Sequence, residues 1–346
     1  MSSSKLVLVT GASGYIAAHV VQKLLESGYR VRGTARGKKV DFLREFWKAN
    51  PHFEAVQIED IATSDFTEAL KDVDAVLHMA SPLAGTQTVE TTIKASIISA
   101  IEGTLNVLRQ ATAQGVTKFV LTSSWASLVD PDAKQGYEGL TLSEKEWGKT
   151  SREDLLQPGR SDMYVYSGTK ILAEQAAWEF TKKHPEVDLA TICPPFVYGP
   201  PILPLSNSFL GTPGLLYQLI VGEAGRPLPY QTSPFWVDVR DVALAHVRAL
   251  ELPPLPQGAD RQEKRFLIAS PVALTFDSAV KHLYDTRPEL RKRLPSLEEV
   301  SQFPGPLSKN DTTRAKEVLG ITEYVDWRKT LEETIDALVE AEKTWA

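Results

Sequence analysis

Short continuous apolar runs alternate with stretches of helical spacing through residues 1–195. A continuous apolar run of strand length is typical of a strand buried on both faces, whereas apolar residues on one side of a 3.6-residue period predict an amphipathic helix. The predicted strands are 6–10, 30–35, 53–57, 75–79, 118–122 and 189–193. The predicted helices between them are 15–26, 42–49, 93–113 and 171–183. This alternation predicts a parallel sheet covered by helices on both faces, a doubly wound α/β fold.

The pattern changes after Cys193. Prolines and glycines are dense from 194 to 234, with one brief helical pattern at 215–221. An apolar run at 235–239 and a helical pattern at 241–250 then resemble the first part of the chain. The remaining predicted elements are a strand at 265–268, a helix at 276–284 and a terminal helix with Trp327, Leu331, Ile335 and Leu338 on one face. The change predicts a smaller second lobe after residue 195, with 235–252 returning to the first.

The first predicted strand leads directly into a glycine turn and an amphipathic helix. Gly11 allows a sharp turn, Gly14 allows backbone N–H groups to approach a phosphate, and Ala17 lets the helix pack closely on the strand. The N-terminus of that helix adds partial positive charge. Short glycine patterns also arise by chance, but this position favours binding of a nucleotide pyrophosphate. The predicted contacts of the turn are Thr10, Gly11, Ser13, Gly14, Tyr15 and Ile16.

The second predicted strand ends in basic residues where a carboxylate would select NAD. An acidic side chain there would bond both ribose hydroxyls, but the position holds Ala35, followed by Arg36, Lys38 and Lys39. A guanidinium can bind a 2′-phosphate through two parallel hydrogen bonds and stack on adenine. A solvated basic loop is the alternative interpretation. The missing acid favours NADP(H), with Arg36 as the main contact and Lys39 as a second.

Two more strand ends contribute to the predicted cofactor site. Asp60 and Ile61 follow the third strand, where an aspartate either accepts from the adenine amino group or closes a turn. The fourth strand ends at the small Ala80, which suits a strand end that passes beneath a diphosphate and ribose. The predicted contacts there are Met79, Ala80 and Ser81. His78 is predicted to be a packed strand residue, because no second ligand is spaced to form a metal site with it.

A serine, a tyrosine and a lysine form the candidate catalytic set. The fifth predicted strand ends at Ser124, and Tyr166 and Lys170 stand near the start of a later helix. A spacing of four residues places the phenol and the ammonium on one helical face, where the lysine would lower the phenol pKa from about 10. The phenol can then exchange a proton with a substrate oxygen near neutral pH, while Ser124 hydrogen-bonds the same oxygen.

The significance of this pair comes from its place in the chain. Tyr-x-x-x-Lys pairs arise by chance, but this one follows a serine-tipped strand in a chain with a dinucleotide turn. Tyr164 lacks an equivalent partner, because position 168 is a glycine. Ser123 is the alternative to Ser124, and Thr122 is a predicted cofactor contact.

Together, these motifs resemble those of the extended short-chain dehydrogenase/reductases over nearly the whole chain. The resemblance is closest to the subgroup of dihydroflavonol reductases, cinnamoyl-CoA reductases and fungal NADPH-dependent aldehyde, methylglyoxal and carbonyl reductases. The segments that carry it are 9–17 (VTGASGYIA), 31–36 (VRGTAR), 77–82 (LHMASP), 120–124 (VLTSS), 166–170 (YSGTK), 194–200 (PPFVYGP), 237–242 (VDVRDV) and 311–320 (DTTRAKEVLG).

The resemblance implies a Rossmann fold with named functional residues. The implied catalytic residues are Ser124, Tyr166 and Lys170. The implied neighbours of the nicotinamide are Pro194, Pro195 and Val197, and Lys170 is implied to bind its ribose. Glu102 departs from the family pattern, in which asparagine commonly stands before the glycine. We expect 1–195 to form the NADP(H)-binding domain, joined by 235–252, and 196–346 to form mainly the substrate-binding lobe and C-terminal helix.

Composition excludes several kinds of partner. The net charge of -6 provides no basic surface for nucleic acid or an anionic membrane. Cys193 is the single cysteine, so no intramolecular disulfide forms, which favours a reducing compartment. Neither a membrane-spanning run nor a signal peptide is evident. We expect a cytoplasmic monomer or homodimer without metal, nucleic acid or membrane.

The expected activity is NADPH-dependent reduction of small aldehydes, ketones or ketoesters to alcohols. A hydroxysteroid dehydrogenase or a nucleotide-sugar epimerase on the same fold is an alternative. Epimerases usually retain NAD, which Arg36 without an acid at position 35 disfavours. A non-catalytic NADPH-sensing protein is a further alternative, disfavoured by the Tyr166–Lys170 pair.

Overall fold

The computed structural model describes residues 4–81, 90–206, 210–256 and 258–345, so Pro82 of the motif 77–82 lies outside the described residues. The strands are β1 (Leu6–Thr10), β2 (Arg30–Ala35), β3 (Phe53–Gln57), β4 (Ala75–His78), β5 (Lys118–Thr122), β6 (Thr141–Leu142), β7 (Asp188–Cys193), β8 (Phe196–Tyr198), β9 (Trp236–Asp238), β10 (Arg265–Leu267) and β11 (Lys309–Asn310). The α-helices are α1 (Tyr15–Glu26), α2 (Lys39–Phe46), α3 (Glu90–Ala113), α4 (Arg152–Leu155), α5 (Asp162–Lys183), α6 (Pro213–Tyr217), α7 (Val239–Glu251), α8 (Phe276–Thr286), α9 (Thr313–Leu319) and α10 (Trp327–Glu342).

Seven of the described strands form one sheet in the order β3-β2-β1-β4-β5-β7-β10, with every neighbouring pair parallel. The chain starts in the middle of the sheet at β1, moves to one edge at β3 and crosses back to β4. In such sheets, ligands bind outside the carboxyl ends of the strands where this reversal occurs. The predicted doubly wound α/β fold is confirmed.

Two apolar cores cover the two faces of the sheet. On one face, Val20 and Leu24 of α1 pack with Val242 of α7. On the other, Leu108 of α3 packs with Trp178 of α5. Because both faces are covered, the central strands β1 and β4 are mainly apolar, and every residue in them is buried.

The six predicted strands match β1 to β5 and β7 to within one residue at either end, and the bounds predicted for α1 agree with the structure. The helix predicted at 171–183 differs, because α5 begins at Asp162, where the hydroxyl of Ser161 accepts from the amide of Tyr164. Its first half buries Ser167 and Thr169 between neighbouring elements. Small and polar residues in a buried helix produce no apolar stripe, which is why the pattern missed this part.

The C-terminal part of the chain forms an additional core beside the sheet. Leu216 of α6, Val280 and Leu283 of α8, and Leu331 and Ile335 of α10 pack together there. This part also returns to the main layers, since α7 packs against α1 and β10 extends the sheet beside β7. The sequence predicts the first return but does not assign the strand at 265–268 to the sheet. No helix among the described residues is long and apolar enough to cross a bilayer.

Candidate active site

The ends of β1 and β4 are joined at the glycine turn. The hydroxyl oxygen of Thr10 accepts from the amides of Met79 (3.0 Å) and Ala80 (3.1 Å). Gly11 has a φ of 67°, in the left-handed region, and a Cβ built on it would lie 3.0 Å from the Cα of Ala80. Glycine is therefore strongly favoured at position 11, both by the backbone angle and by the close approach of the second strand.

The N-terminus of α1 is suited to an anion. Gly14 precedes the helix in an extended conformation without a side-chain cap, and a Cβ on it would lie 3.1 Å from the carbonyl oxygen of Gly11. The first amides of a helix have no partner within the helix, so they can bind a phosphate. The Tyr15 hydroxyl donates to the carbonyl of Gly199 (2.7 Å), which leaves the Tyr15 backbone for such a contact. Ser13 and Ile16 are both half-buried beside the turn.

The basic residues in and after β2 differ in what they contact. Arg36 is exposed, and no side-chain hydrogen bond or ion pair to it occurs within the described ranges. By contrast, Arg32 is paired with Glu54 at 2.7 Å. Lys39 is also exposed, but it is the first residue of α2 rather than a loop residue. Arg36 is therefore available to a ligand at the end of β2, where Ala35 leaves no carboxylate.

The loop after β3 is closed by Asp60 and held by α3. The Asp60 carboxylate accepts from the amide of Ala62 (2.8 Å), so its turn-forming role is present, while the adenine contact stays a prediction. The side-chain amide of Asn106 donates to the carbonyl of Ile61 (3.1 Å). No sequence motif indicated this role of Asn106. Glu102 points elsewhere and pairs with Arg109 on the exposed side of α3 at 3.0 Å.

His78 is a packed residue, as predicted. Because the Thr10 oxygen already accepts two amides, its O–H donates to Nδ1 of His78 (2.9 Å), which is therefore the acceptor nitrogen. Burial, followed by the charge of Lys170, lowers the pKa of His78 to about 3. The imidazole is thus neutral. No cluster of three potential metal ligands occurs in the described part of the chain.

Thr122 faces the opposite side of the sheet from α5. His246 of α7 donates from Nδ1 to the carbonyl of Val242 (2.8 Å), so its Nε2 accepts from the Thr122 hydroxyl (2.7 Å). Burial lowers the pKa of His246 to about 4, which keeps this acceptor neutral. Because the Thr122 hydroxyl is engaged by His246, any contact of Thr122 with a cofactor is made by its backbone.

The two candidate serines have different surroundings. Ser124 caps the 3₁₀ turn Trp125–Ser127 by accepting from the amide of Ala126 (3.1 Å), and the interaction of its hydroxyl with Tyr166 acts to lower the pKa of that phenol. Ser123 instead donates to the buried carboxylate of Glu174 (2.6 Å). Ser124 is therefore the serine that faces the tyrosine.

Tyr166 and Lys170 meet on one face of α5, with Nζ of the lysine 5.8 Å from the centre of the phenol ring. Burial lowers the pKa of Lys170 to about 8, although Glu174 and Cys193 oppose that shift. Burial also raises the pKa of Tyr166, with the nearby Ser124 hydroxyl acting in the opposite direction. The predicted lowering of the phenol pKa is thus wrong for the chain without a cofactor, because desolvation of the phenolate dominates.

The segment after β7 passes beside the serine loop. The carbonyl of Pro194 accepts from the amide of Trp125 (2.8 Å), which positions the two segments together. Pro195 is half-buried and Val197 is 3% exposed in β8. The nicotinamide contacts of these three residues stay predictions.

The class of protein follows from where these groups meet. A phosphate cradle and a Ser124–Tyr166–Lys170 group at the carboxyl edge of a doubly wound sheet define an extended short-chain dehydrogenase/reductase. The chain belongs to the NAD dependent epimerase/dehydratase family, which matches residues 7–258.

Proteins similar to this chain include an aldehyde reductase and a ketoreductase. Aldehyde reductase 2 of Sporidiobolus salmonicolor is 34% identical, over 99% of this chain and 97% of its own length. Ketoreductase azaE of Aspergillus niger is 32% identical, over 93% of this chain and 94% of its own length. The crystal structure of Gre2 in complex with NADPH from Candida albicans has a TM-score of 0.84 and 29% identity, covering 97% of this chain and 99% of that chain. The predicted family and its oxidoreductase class are confirmed.

Proposed function

We propose that this protein is an NADPH-dependent carbonyl reductase that converts small aldehydes, ketones or ketoesters to alcohols. The observation that carries the proposal is that Ser124, Tyr166 and Lys170 come together and that Lys170 lines one cavity with Ala80, which lies against Gly11 of the cradle. The names of the similar aldehyde reductase and ketoreductase support the same chemistry. The NADPH complex of the similar Gre2 structure supports the cofactor.

The residues present fit NADPH. The glycine turn leaves space that a Cβ would fill, and the first amides of α1 provide donors for its pyrophosphate. Arg36 provides a guanidinium for the 2′-phosphate. Lys170 would hold the nicotinamide ribose, with Pro194 and Pro195 bordering the ring. When bound, NADPH supplies a hydride for the substrate carbonyl carbon.

Tyr166 provides the proton that completes the reduction. Its raised pKa keeps the phenol protonated near neutral pH, so the phenol can donate to the substrate oxygen as negative charge develops there. The hydroxyl of Ser124 holds the same oxygen. The Lys170 ammonium then stabilises the phenolate that remains until it is reprotonated. The substrate carbon gains the hydride and its oxygen gains the proton, which gives the alcohol.

We also propose that the protein acts in the cytoplasm as a monomer or homodimer, with 1–195 and 235–252 as the cofactor domain and the remainder mainly as the substrate lobe. The buried, unpaired thiol of Cys193 supports a reducing compartment. The separate apolar core of α6, α8 and α10 supports the lobe division.

The test is NADPH consumption with a panel of aldehydes, ketones and ketoesters, with NADH in parallel. Reduction of at least one class with a clear NADPH preference is the expected result. Tight NADPH binding without turnover of any compound would favour a sensor. In a parallel incubation with nucleotide sugars, their interconversion without net loss of NADPH would favour an epimerase.

A further inference from the structure

A fully buried carboxylate lies one helical turn beyond Lys170. Glu174 is 1% exposed, and its Oε1 accepts from Nε of Arg265 (2.8 Å) and the hydroxyl of Thr191 (2.8 Å). Its Oε2 accepts from the hydroxyls of Ser123 and Ser127, each at 2.6 Å. Burial works against its charge, yet Arg265 and the hydroxyl donors hold the pKa of Glu174 below its usual range. The carboxylate is therefore ionised.

This carboxylate connects the two halves of the catalytic group. Glu174 belongs to α5, which carries Tyr166 and Lys170, whereas Ser127 belongs to the turn that Ser124 begins. The Ser127 hydroxyl also lies 2.7 Å from the carbonyl oxygen of Ser124. The orientation of the Ser124 loop relative to α5 is thus set partly through Glu174.

The buried ion pair is oriented with its negative end toward Lys170. Glu174, Lys170 and Ser123 line one cavity of about 20 Å³, large enough for a water molecule. The Arg265 guanidinium lies on the other side, 3.6 Å from the Trp147 ring centre, and donates to the carbonyl of Glu144 at 2.6 Å. The positive charge is therefore turned away from the cavity.

The other titratable groups that face Lys170 are neutral. His78 of β4 has its pKa lowered to about 3, and Cys193 of β7 has its pKa raised to about 12, both mainly by burial. Tyr166 is a neutral phenol, and α3 contributes only Ala100 and a hydroxyl to the cavity lining. Within the described residues, Glu174 is thus the charged group that faces the lysine.

We propose that Glu174 is a positioning residue, whose carboxylate keeps Lys170 charged from across the cavity and holds the Ser124 loop against α5. The catalytic consequence rests on the proposed reductase function, whereas the effect on the lysine does not. A negative charge nearby favours the ammonium, so its removal makes Lys170 lose its proton at lower pH.

The first experiment compares Glu174→Gln with the wild type in the pH profile of kcat/KM. The alkaline limb is expected to move to lower pH by about one unit, the lower end of the shift that a nearby opposite charge produces. Glu144→Gln is the matched control, because Glu144 is also buried and paired with an arginine, Arg314, at 3.0 Å, but does not line the cavity. An unmoved limb in Glu174→Gln, or an equal shift in Glu144→Gln, would overturn the proposal.

A second variant serves as the control for destabilisation, because Glu174→Gln leaves Arg265 buried without its partner. The double variant Glu174→Gln/Arg265→Met removes both charges. It is expected to recover melting temperature while keeping the shifted limb. Return of the limb to the wild-type pH in the double variant would show that the shift came from the unpaired arginine, and would overturn the proposal.

A direct readout separates this proposal from the reductase function. The Nζ resonance of Lys170 is followed by NMR against pH in the cofactor-free protein with isotope-labelled lysine, and assigned by its loss in Lys170→Arg. A lower titration midpoint in Glu174→Gln supports the proposal even if no carbonyl compound is reduced. An unchanged midpoint contradicts it even if the enzyme is active.

Discussion

Gly11 lies against Ala80 so closely that a Cβ on the glycine would stand 3.0 Å from the alanine Cα. This contact brings the turn after β1 against the end of β4, and the Thr10 hydroxyl holds the same junction through the amide of Ala80. The cradle for a pyrophosphate is therefore formed by the ends of two strands that are distant in the sequence. Thr10 and His78, which are hydrogen-bonded at this junction, are 68 residues apart.

Gly11→Ala should weaken NADPH binding by about tenfold or more, because the left-handed backbone and the Ala80 contact both resist a Cβ. Fluorescence titration of NADPH measures the effect. The matched control is Gly28→Ala, which has a φ of 83° but no atom within 4 Å of the added Cβ. That control should lose about 1 kcal/mol of stability and keep its NADPH affinity. Equal losses of affinity in both variants would contradict the role of the cradle.

Arg36→Ala should lower the affinity for NADPH by about 1.5–3 kcal/mol, the size of a hydrogen bond to a charged group, and leave NADH almost unaffected. Kd values for both nucleotides provide the test. Lys38→Ala is the control, because Lys38 is an equally exposed neighbour. A similar loss for NADH and NADPH would mean that Arg36 does not contact the 2′-phosphate.

Tyr166→Phe should reduce kcat by about 10²–10⁴-fold, because the ring stays in place but the proton donor is removed. NADPH affinity should stay close to that of the wild type. Tyr164→Phe is the matched control, since the Tyr164 hydroxyl donates to Asp154 (2.6 Å) away from the catalytic group. Steady-state rates decide the question, and substantial activity in Tyr166→Phe would exclude the phenol as proton donor.

Asp241→Asn should stabilise the folded protein at pH 8 by about 3 kcal/mol and have little effect near pH 4. Burial raises the pKa of Asp241 to about 6, against the hydrogen bond from the Val325 amide. The folded state therefore binds this proton more tightly than the unfolded state, and the stability it contributes at low pH is lost as pH rises through about 6. Urea denaturation at the two pH values checks this, and a difference that grows toward acid pH would reverse the assignment.

Local pattern was sufficient for β1, the turn at Gly11 and α1, whose predicted bounds agree with the structure. The reason is that a buried strand, a left-handed glycine and an amphipathic helix depend mainly on neighbouring residues. The Tyr166–Lys170 relation was predictable from the spacing of four residues, although the apolar pattern predicted the helix only from residue 171. The direction of the tyrosine pKa shift was not predictable, since it depends on burial by distant segments.

The α/β class, the cradle and the candidate catalytic set were predictable from the amino-acid sequence, because each rests on short-range periodicity and residue chemistry. Which serine faces Tyr166, and the pairing of Glu174 with Arg265, 91 residues further along the chain, depend on the tertiary structure. No sequence pattern predicts that Arg265, an arginine in a strand, is fully buried. Its place depends on which distant carboxylate can satisfy its charge, and folding of the sheet settles that choice.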